Sequence, residues 1–193
     1  MDASERRFQQ IYDEYQERIF RYLVRMVGEC DAEDLTQEVF VKVSLALDTF
    51  RGESKLSTWI YQIATNAALD KIRSSRRGDS LSLPFTVITE EQSDKDFWTD
   101  EREDSSELKV IRQEMNDCIR EIIDGLPESY RSVIVLSELE GLKDNEIAEV
   151  IGLSIQATKI RLHRARTKLR KALQRNCVFY RNEHNELACD RKK

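Results

Sequence analysis

The chain has 193 residues, with 31 Lys/Arg against 36 Asp/Glu for a net charge of −5, 35% charged and 40% hydrophobic side chains, six Gly and two Pro. That length suits one or two small domains, and so few Gly and Pro leave little material for the many tight turns of an all-β or doubly wound fold, so a mostly helical protein is expected. No apolar run approaches the roughly 20 residues of a membrane span, and the N-terminal MDASERRFQQ lacks the apolar core of a secretory signal, so a cytoplasmic protein without membrane insertion is expected.

In chain order, Phe8, Ile11, Tyr12, Tyr15, Ile19, Tyr22, Leu23 and Met26 recur every three or four residues, one face of a helix that Gly28 ends. Asp31 is placed to cap a second helix with Asp34 in its first turn, and its apolar stripe is Leu35, Val39, Val43 and Leu47. Arg51 to Lys55 breaks the periodicity and reads as a loop. A third helix is expected from about Ser57, burying Trp59, Ile60, Ile63, Ala67 and Ile72 and ending in a basic run at 73–77. Together these make one helical domain, 1–77.

Residues 78–106 are rich in Ser, Thr, Asp and Glu and read as a linker, although Phe85, Phe97 and Trp98 are unusually apolar for a passive tether. Helical spacing resumes at Leu108, Ile111, Met115, Ile119 and Ile122 until Gly125. Pro127 opens another helix through Val133, Ile134 and Leu136, which Gly141 stops.

Within 142–172 a short helix carries Ile147, Ala148 and Ile151, Gly152 supplies its stop, and Ser154 is a good N-cap for the next helix. Two helices joined by a Gly-containing turn of three or four residues form the helix-turn-helix pattern. On a helical wheel Thr158, Leu162, Ala165 and Leu169 share the core face. Gln156, Ile160, His163, Arg164 and Lys171 fall opposite, and Lys159, Arg161, Arg166 and Lys168 flank them. Such a face suits base edges at its centre and phosphates at its flanks, with Ile160 a natural partner for a thymine methyl. The plainer alternative is a solvated basic helix.

The net charge of −5 argues against nucleic acid only as an average. It is −1 over 1–77, −7 over 78–106, −6 over 107–153 and +9 over 154–193. A local basic stripe, not the total, is the footprint of nucleic-acid binding.

Taken together, DAEDLTQEVFVKV (31–43), FRGESKLSTWIYQIATNAALDKIRSSRR (50–77) and LPESYRSVIVLSELEGLKDNEIAEVIGLS followed by RLHRAR resemble, in order around an acidic linker, the motifs of the extracytoplasmic-function (group IV) sigma factors of bacterial RNA polymerase. The resemblance covers residues 8 to about 175. It implies an all-α fold: region 2 at 1–77, the acidic linker at 78–106, region 4 at 107–175, and an added tail at 176–193.

The family's roles, carried over, imply that Asp34, Gln37 and Glu38 meet basic residues on the polymerase clamp helices, although first-turn acids also simply complement a helix dipole. They imply that Lys42, Ala46, Arg51, Ser54, Lys55 and Asn66 meet the melted −10 non-template strand, with the loop Phe50–Thr58 capturing a flipped base. They imply that Gln156, Lys159, Ile160, Arg161, His163, Arg164 and Arg166 read the −35 duplex. The partners implied are the polymerase core (clamp helices and flap), promoter DNA and an anti-sigma factor. By helical spacing Trp59 reads as core rather than as a stacking platform, while Tyr61 stays open. The linker reads either as an occupant of the polymerase RNA exit path or as a solvated spacer.

The chain departs from the family where Gln156-Ala157-Thr158 replaces the usual Gly-Thr-Val, so Thr158 puts a hydroxyl on the core face, available to a helix carbonyl. Lys143 stands where Ser or Thr usually caps, so Asp144 is expected to cap one residue later.

The four cysteines, Cys30, Cys118, Cys177 and Cys189, read as reduced thiols. Cys177, His184 and Cys189 offer three ligands to a soft metal, but their spacing matches no compact zinc template, and Cys30 or Cys118 would have to supply the fourth. An ordinary tail is the expectation, with metal or redox sensing as the alternative, and no cofactor is expected. The function expected is that of a promoter-specificity subunit, not an enzyme, since no phosphate loop or nucleophile–base pairing occurs. A stand-alone DNA-binding regulator is the competing reading.

Overall fold

The computed structural model describes residues 3–78, 118–181 and 187–192. The acidic stretch with Phe85, Phe97 and Trp98, the start of the following helix at Leu108, Ile111 and Met115, and His184 lie outside these residues.

Three long helices make the N-terminal unit: α1 (Ala3–Val27), α2 (Glu29–Ala46), extended by a 3₁₀ turn (Leu47–Thr49), and α3 (Leu56–Gly78). Gly28, at φ 89°, makes the sharp join of α1 to α2, a conformation costly for any residue with a Cβ. Helix α2 therefore starts at Glu29, before the expected cap. Gly28 holds the cap position without a side-chain bond, and Glu29 and Asp31 occupy the first turn. Asp31 is thus inside the helix and Asp34 lies beyond its first turn.

The stripe Leu35, Val39, Val43 and Leu47 is buried against Ile19, Tyr22, Leu23 and Met26 of α1 and Ile60, Tyr61, Ala64 and Ala68 of α3. Tyr22 meets the Thr65 hydroxyl at 2.7 Å inside this core and packs edge-on against Tyr61. Satisfying both polar groups is what makes their burial tolerable.

The C-terminal unit is built from shorter pieces. Helix α4 (118–124) ends at Gly125, α5 (Glu128–Ile134) runs into a π-helical turn (Val135–Leu139), and α6 (Asp144–Ile151) and α7 (Ile155–Asn176) form the helix-turn-helix. Gly152 closes α6 at φ 66°, and the Leu153 N–H returns to the Ala148 carbonyl at 3.0 Å. The Ser154 hydroxyl accepts from the Ala157 N–H at 3.2 Å, the N-cap expected of it. The cap of α6 differs from expectation. Lys143 holds that position and its N–H donates to Glu146 Oε2 at 2.8 Å, so Asp144 is the first helical residue and Glu146 satisfies the helix start from within.

Leu162 and Ala165 of α7 are buried with Val133 to Leu136, Ile147 and Val150. Thr158 is also buried, and its hydroxyl donates to the Ser154 carbonyl at 3.0 Å.

The described residues beyond α7 form an antiparallel hairpin, β1 (Cys177–Arg181) and β2 (Leu187–Arg191), in the register Cys177 opposite Arg191 and Phe179 opposite Cys189. It is tied back by Arg191 to Glu121 at 2.8 Å and by the Lys192 ammonium to the Gln174 carbonyl at 2.6 Å.

Candidate nucleic-acid interface

Two surfaces carry the site residues, and each is positioned by the packing behind it. On α7, burial of Thr158, Leu162 and Ala165 turns Gln156, Lys159, Ile160, His163 and Arg164 outward, all exposed, with Arg161 half-buried at the flank. Ile160 is 49% exposed on this face, an apolar side chain among polar and charged ones. Two flanking cations are engaged within the protein. Arg166 reaches Glu138 Oε1 through Nε at 2.9 Å and Nη2 at 2.7 Å and also the Ser137 hydroxyl, while Lys168 stands over the Tyr130 ring. Arg166 would have to release Glu138 before reaching a phosphate.

The second surface is the loop between α2 and α3. Thr49, Phe50, Arg51, Glu53, Ser54, Thr58, Trp59 and Gln62 line an open cleft of about 560 Å³. Trp59 is only half-buried. It packs against the core on one side and meets the Phe50 ring at 5.0 Å, so it belongs to the cleft wall as well as to the core. Tyr61, which the sequence left open, is fully buried. Ala46 is half-buried; Lys42 and Asn66 are exposed, with Lys42 holding Glu38 at 2.6 Å.

Asp34, Gln37 and Glu38 are exposed on α2. Sequence reasoning missed the continuation of their stripe, Val41 and Leu45, which are 58% and 79% exposed. The helical spacing 34, 38, 41, 45 was the available signal.

The cleft has a lid. Glu149 of α6 completes its lining, and Lys55 pairs with Glu146 Oε1 at 2.7 Å. The Tyr61 hydroxyl donates to the Glu140 carboxylate, and Arg131 donates to the Met26 carbonyl at 3.0 Å. The two units thus pack face to face, the first helix of the helix-turn-helix lying on the loop. Burial pushes the Glu140 carboxyl above its ordinary range, more than Tyr61 and the Arg18 and Arg25 charges pull it down. Lys55 and the Lys143 N–H hold Glu146 below that range. Glu149 thus lies in the cleft wall, and Lys55 is already partnered with Glu146.

Among the described residues no group of three His, Cys, Asp or Glu is arranged to hold a metal ion, and no helix is long and apolar enough to cross a membrane.

Comparison with known proteins matches residues 11–78 to sigma-70 region 2 and 116–169 to sigma-70, region 4. The chain is 33% identical to the ECF RNA polymerase sigma factor SigW of Bacillus subtilis (86% of this chain, 89% of that one). It is 33% identical to the RNA polymerase sigma-H factor of Pseudomonas aeruginosa (89% of each). It is 30% identical to the ECF RNA polymerase sigma-E factor of Haemophilus influenzae (89% and 90%). The fold matches RpoE solved with the anti-sigma factor NepR from Bartonella quintana, with a TM-score of 0.67 at 21% identity over 86% of this chain and 96% of that one. It also matches CnrH solved with the cytosolic domain of CnrY, at 0.60 and 24% over 89% and 90%.

Proposed function

The chain belongs to the extracytoplasmic-function sigma factors of RNA polymerase, and on that premise we propose that it binds the polymerase core and directs initiation by reading −35 duplex and capturing the melted −10 strand. In this reading residues 1–77 act as region 2, 78–106 as the connecting linker and 107–175 as region 4. The protein acts as an initiation factor, not an enzyme.

The observation that carries the reading is the outward face of α7, where Gln156, Lys159, His163 and Arg164 are exposed beside the half-exposed Ile160 on a capped helix-turn-helix. Arg164 and Gln156 suit base edges, Lys159 and Arg161 suit phosphates, and Ile160 suits a thymine methyl. The cleft formed by Phe50 to Thr58 with Trp59 takes an unstacked base, with Arg51, Ser54 and Lys55 at its mouth and Lys42, Ala46 and Asn66 along the strand. The stripe Asp34, Gln37, Glu38, Val41 and Leu45 faces the polymerase clamp, its acids matched to basic residues and its apolar end to a hydrophobic patch.

Engaging polymerase and strand together requires the α6 lid to leave the cleft. The packed units, and the two related structures solved with an anti-sigma factor or the cytosolic domain of CnrY, support restraint of this closed form by an anti-sigma partner.

Run-off transcription with purified core polymerase tests the function. Core plus this protein initiates at selected promoters, Arg164→Ala weakens −35-dependent initiation at least tenfold, and Trp59→Ala slows open-complex formation with duplex binding kept. Tight duplex binding by the protein alone, with no initiation by the holoenzyme, would instead make it a stand-alone regulator.

A further inference from the structure

The hairpin beyond α7 brings together three of the four cysteines. Cys177, the last cap residue of α7, is buried, and its Sγ lies 3.3 Å from Sγ of Cys118 on α4, 59 residues earlier. The register sets Cys177 and Cys189 on the same face of the hairpin as diagonal neighbours, and their side chains are hydrogen-bonded. Cys177 is therefore the middle sulfur of three, with Cys118 and Cys189 half-exposed on either side of it. The described groups do not surround a common point as metal ligands would, whereas the Cys118–Cys177 pair needs an approach of only about 1.3 Å to reach bonding distance. Two five-residue strands are marginal alone, and Val178, Phe179 and Tyr180 on them are exposed. A covalent tie at this point would hold the hairpin and the end of the recognition helix to α4.

We propose that Cys118, Cys177 and Cys189 form a redox-responsive thiol site, which reacts with a small-molecule disulfide to close a Cys118–Cys177 bond across the DNA-reading unit. The half-exposed Cys118, after losing its proton to water, attacks one sulfur of the disulfide RSSR. One RS⁻ leaves and is protonated, and a mixed disulfide stays on Cys118. Cys177 then attacks the Cys118 sulfur, its proton passes to the second RS⁻, and the protein S–S bond forms. Two protein thiols are oxidised by two electrons and RSSR is reduced to two RSH. Cys189, in contact with Cys177, can attack the Cys177 sulfur, forming a Cys177–Cys189 bond and releasing the Cys118 thiol; two equivalents of reduced glutathione then reduce that bond, leaving as oxidised glutathione. Burial raises the Cys118 and Cys189 thiols above their ordinary range, which lowers their thiolate fraction and slows the first attack.

The test equilibrates the full-length protein in oxidised and reduced glutathione buffers of graded ratio, quenches with iodoacetamide, and maps the peptides by mass spectrometry. The expected result is one dominant internal link, Cys118–Cys177, in a species two hydrogens lighter whose unfolding midpoint rises. Cys30, exposed on α2, is either alkylated or carries glutathione, and takes no part in the internal link. Cys118→Ser abolishes the link, whereas Cys189→Ser keeps it and slows its reversal by reduced glutathione. The wild-type map stands even if a cysteine variant folds poorly. The proposal is overturned if no internal link forms at any ratio, if the only product is a Cys30-linked dimer, or if the isolated protein carries stoichiometric zinc whose removal by a chelator is needed before these thiols react.

Discussion

The two units solve the same problem, holding a nucleic-acid surface in place, by opposite means. The N-terminal unit uses length. Three helices of 18 to 25 residues bury a broad core, so the loop between α2 and α3 is a short span between two rigid supports. The C-terminal unit uses local devices. Helices α5 and α6 are seven and eight residues long, and Gly152, Ser154, the Lys143–Glu146 start and the Arg166–Glu138 pair position α7. Length makes the first unit robust, while the second depends on individual contacts and on leaning against the first.

The largest effects should come from the cores. Leu23→Ala and Leu162→Ala each empty a buried site, at a cost of about 3 kcal/mol. In the smaller C-terminal core the same loss is a larger fraction of stability, so Leu162→Ala should abolish −35 binding while α1 to α3 stay folded by circular dichroism and limited proteolysis. If Leu23→Ala melts both halves in one transition, the units are one cooperative block and the contrast fails.

Next is the inter-unit contact. Tyr61→Phe leaves the Glu140 carboxylate without its donor, which costs about 2 kcal/mol for a bond to a charged group. The spin-label distance between α3 and α6 should lengthen, while Tyr22→Phe, which removes only the hydroxyl bonded to Thr65 inside the first unit, should leave that distance unchanged.

A smaller loss, about 1 kcal/mol, is expected from Ser154→Ala. Hydrogen exchange should accelerate at the first-turn amides of α7 and nowhere in α1 to α3.

The smallest effect belongs to the Lys55–Glu146 pair, about 0.5 kcal/mol by double-mutant cycle because the lysine is mostly exposed. Its pH dependence has a definite sign. Glu146 sits below its ordinary value of 4.5, so its contribution to closure is present above pH 4.5 and lost as pH falls through the folded value. Glu140 is raised above 4.5, so its contribution is present below pH 4.5 and lost as pH rises through the folded value. The α3–α6 distance should be pH-dependent on both sides, with Glu146→Gln erasing the acid edge and Glu140→Gln the other.

How far the sequence reached follows the same division. Where periodicity governs, as in the stripe from Leu35 to Leu47 or the core face of α7, the residues name their own environment because helix geometry repeats every 3.6 residues. Gly152 and Ser154 were legible because their roles depend on backbone dihedrals and one nearby N–H. The caps of α2 and α6 were misplaced because several neighbouring residues can begin a helix and tertiary packing selects one. Trp59 was only half read, since periodicity shows which residues face inward and not where the core ends. The exposed pair Val41 and Leu45 broke the pattern visibly and was passed over.

By itself the sequence determined two helical units, an acidic connection and a basic helix, because these rest on local propensity and charge, while its motifs carried the resemblance to the family. Only the tertiary structure decided that α6 covers the loop between α2 and α3, that Lys55 and Arg166 are already partnered, and that Cys118 meets Cys177. Those contacts join residues from 28 to 91 positions apart, and no local pattern encodes a meeting that depends on how whole helices pack.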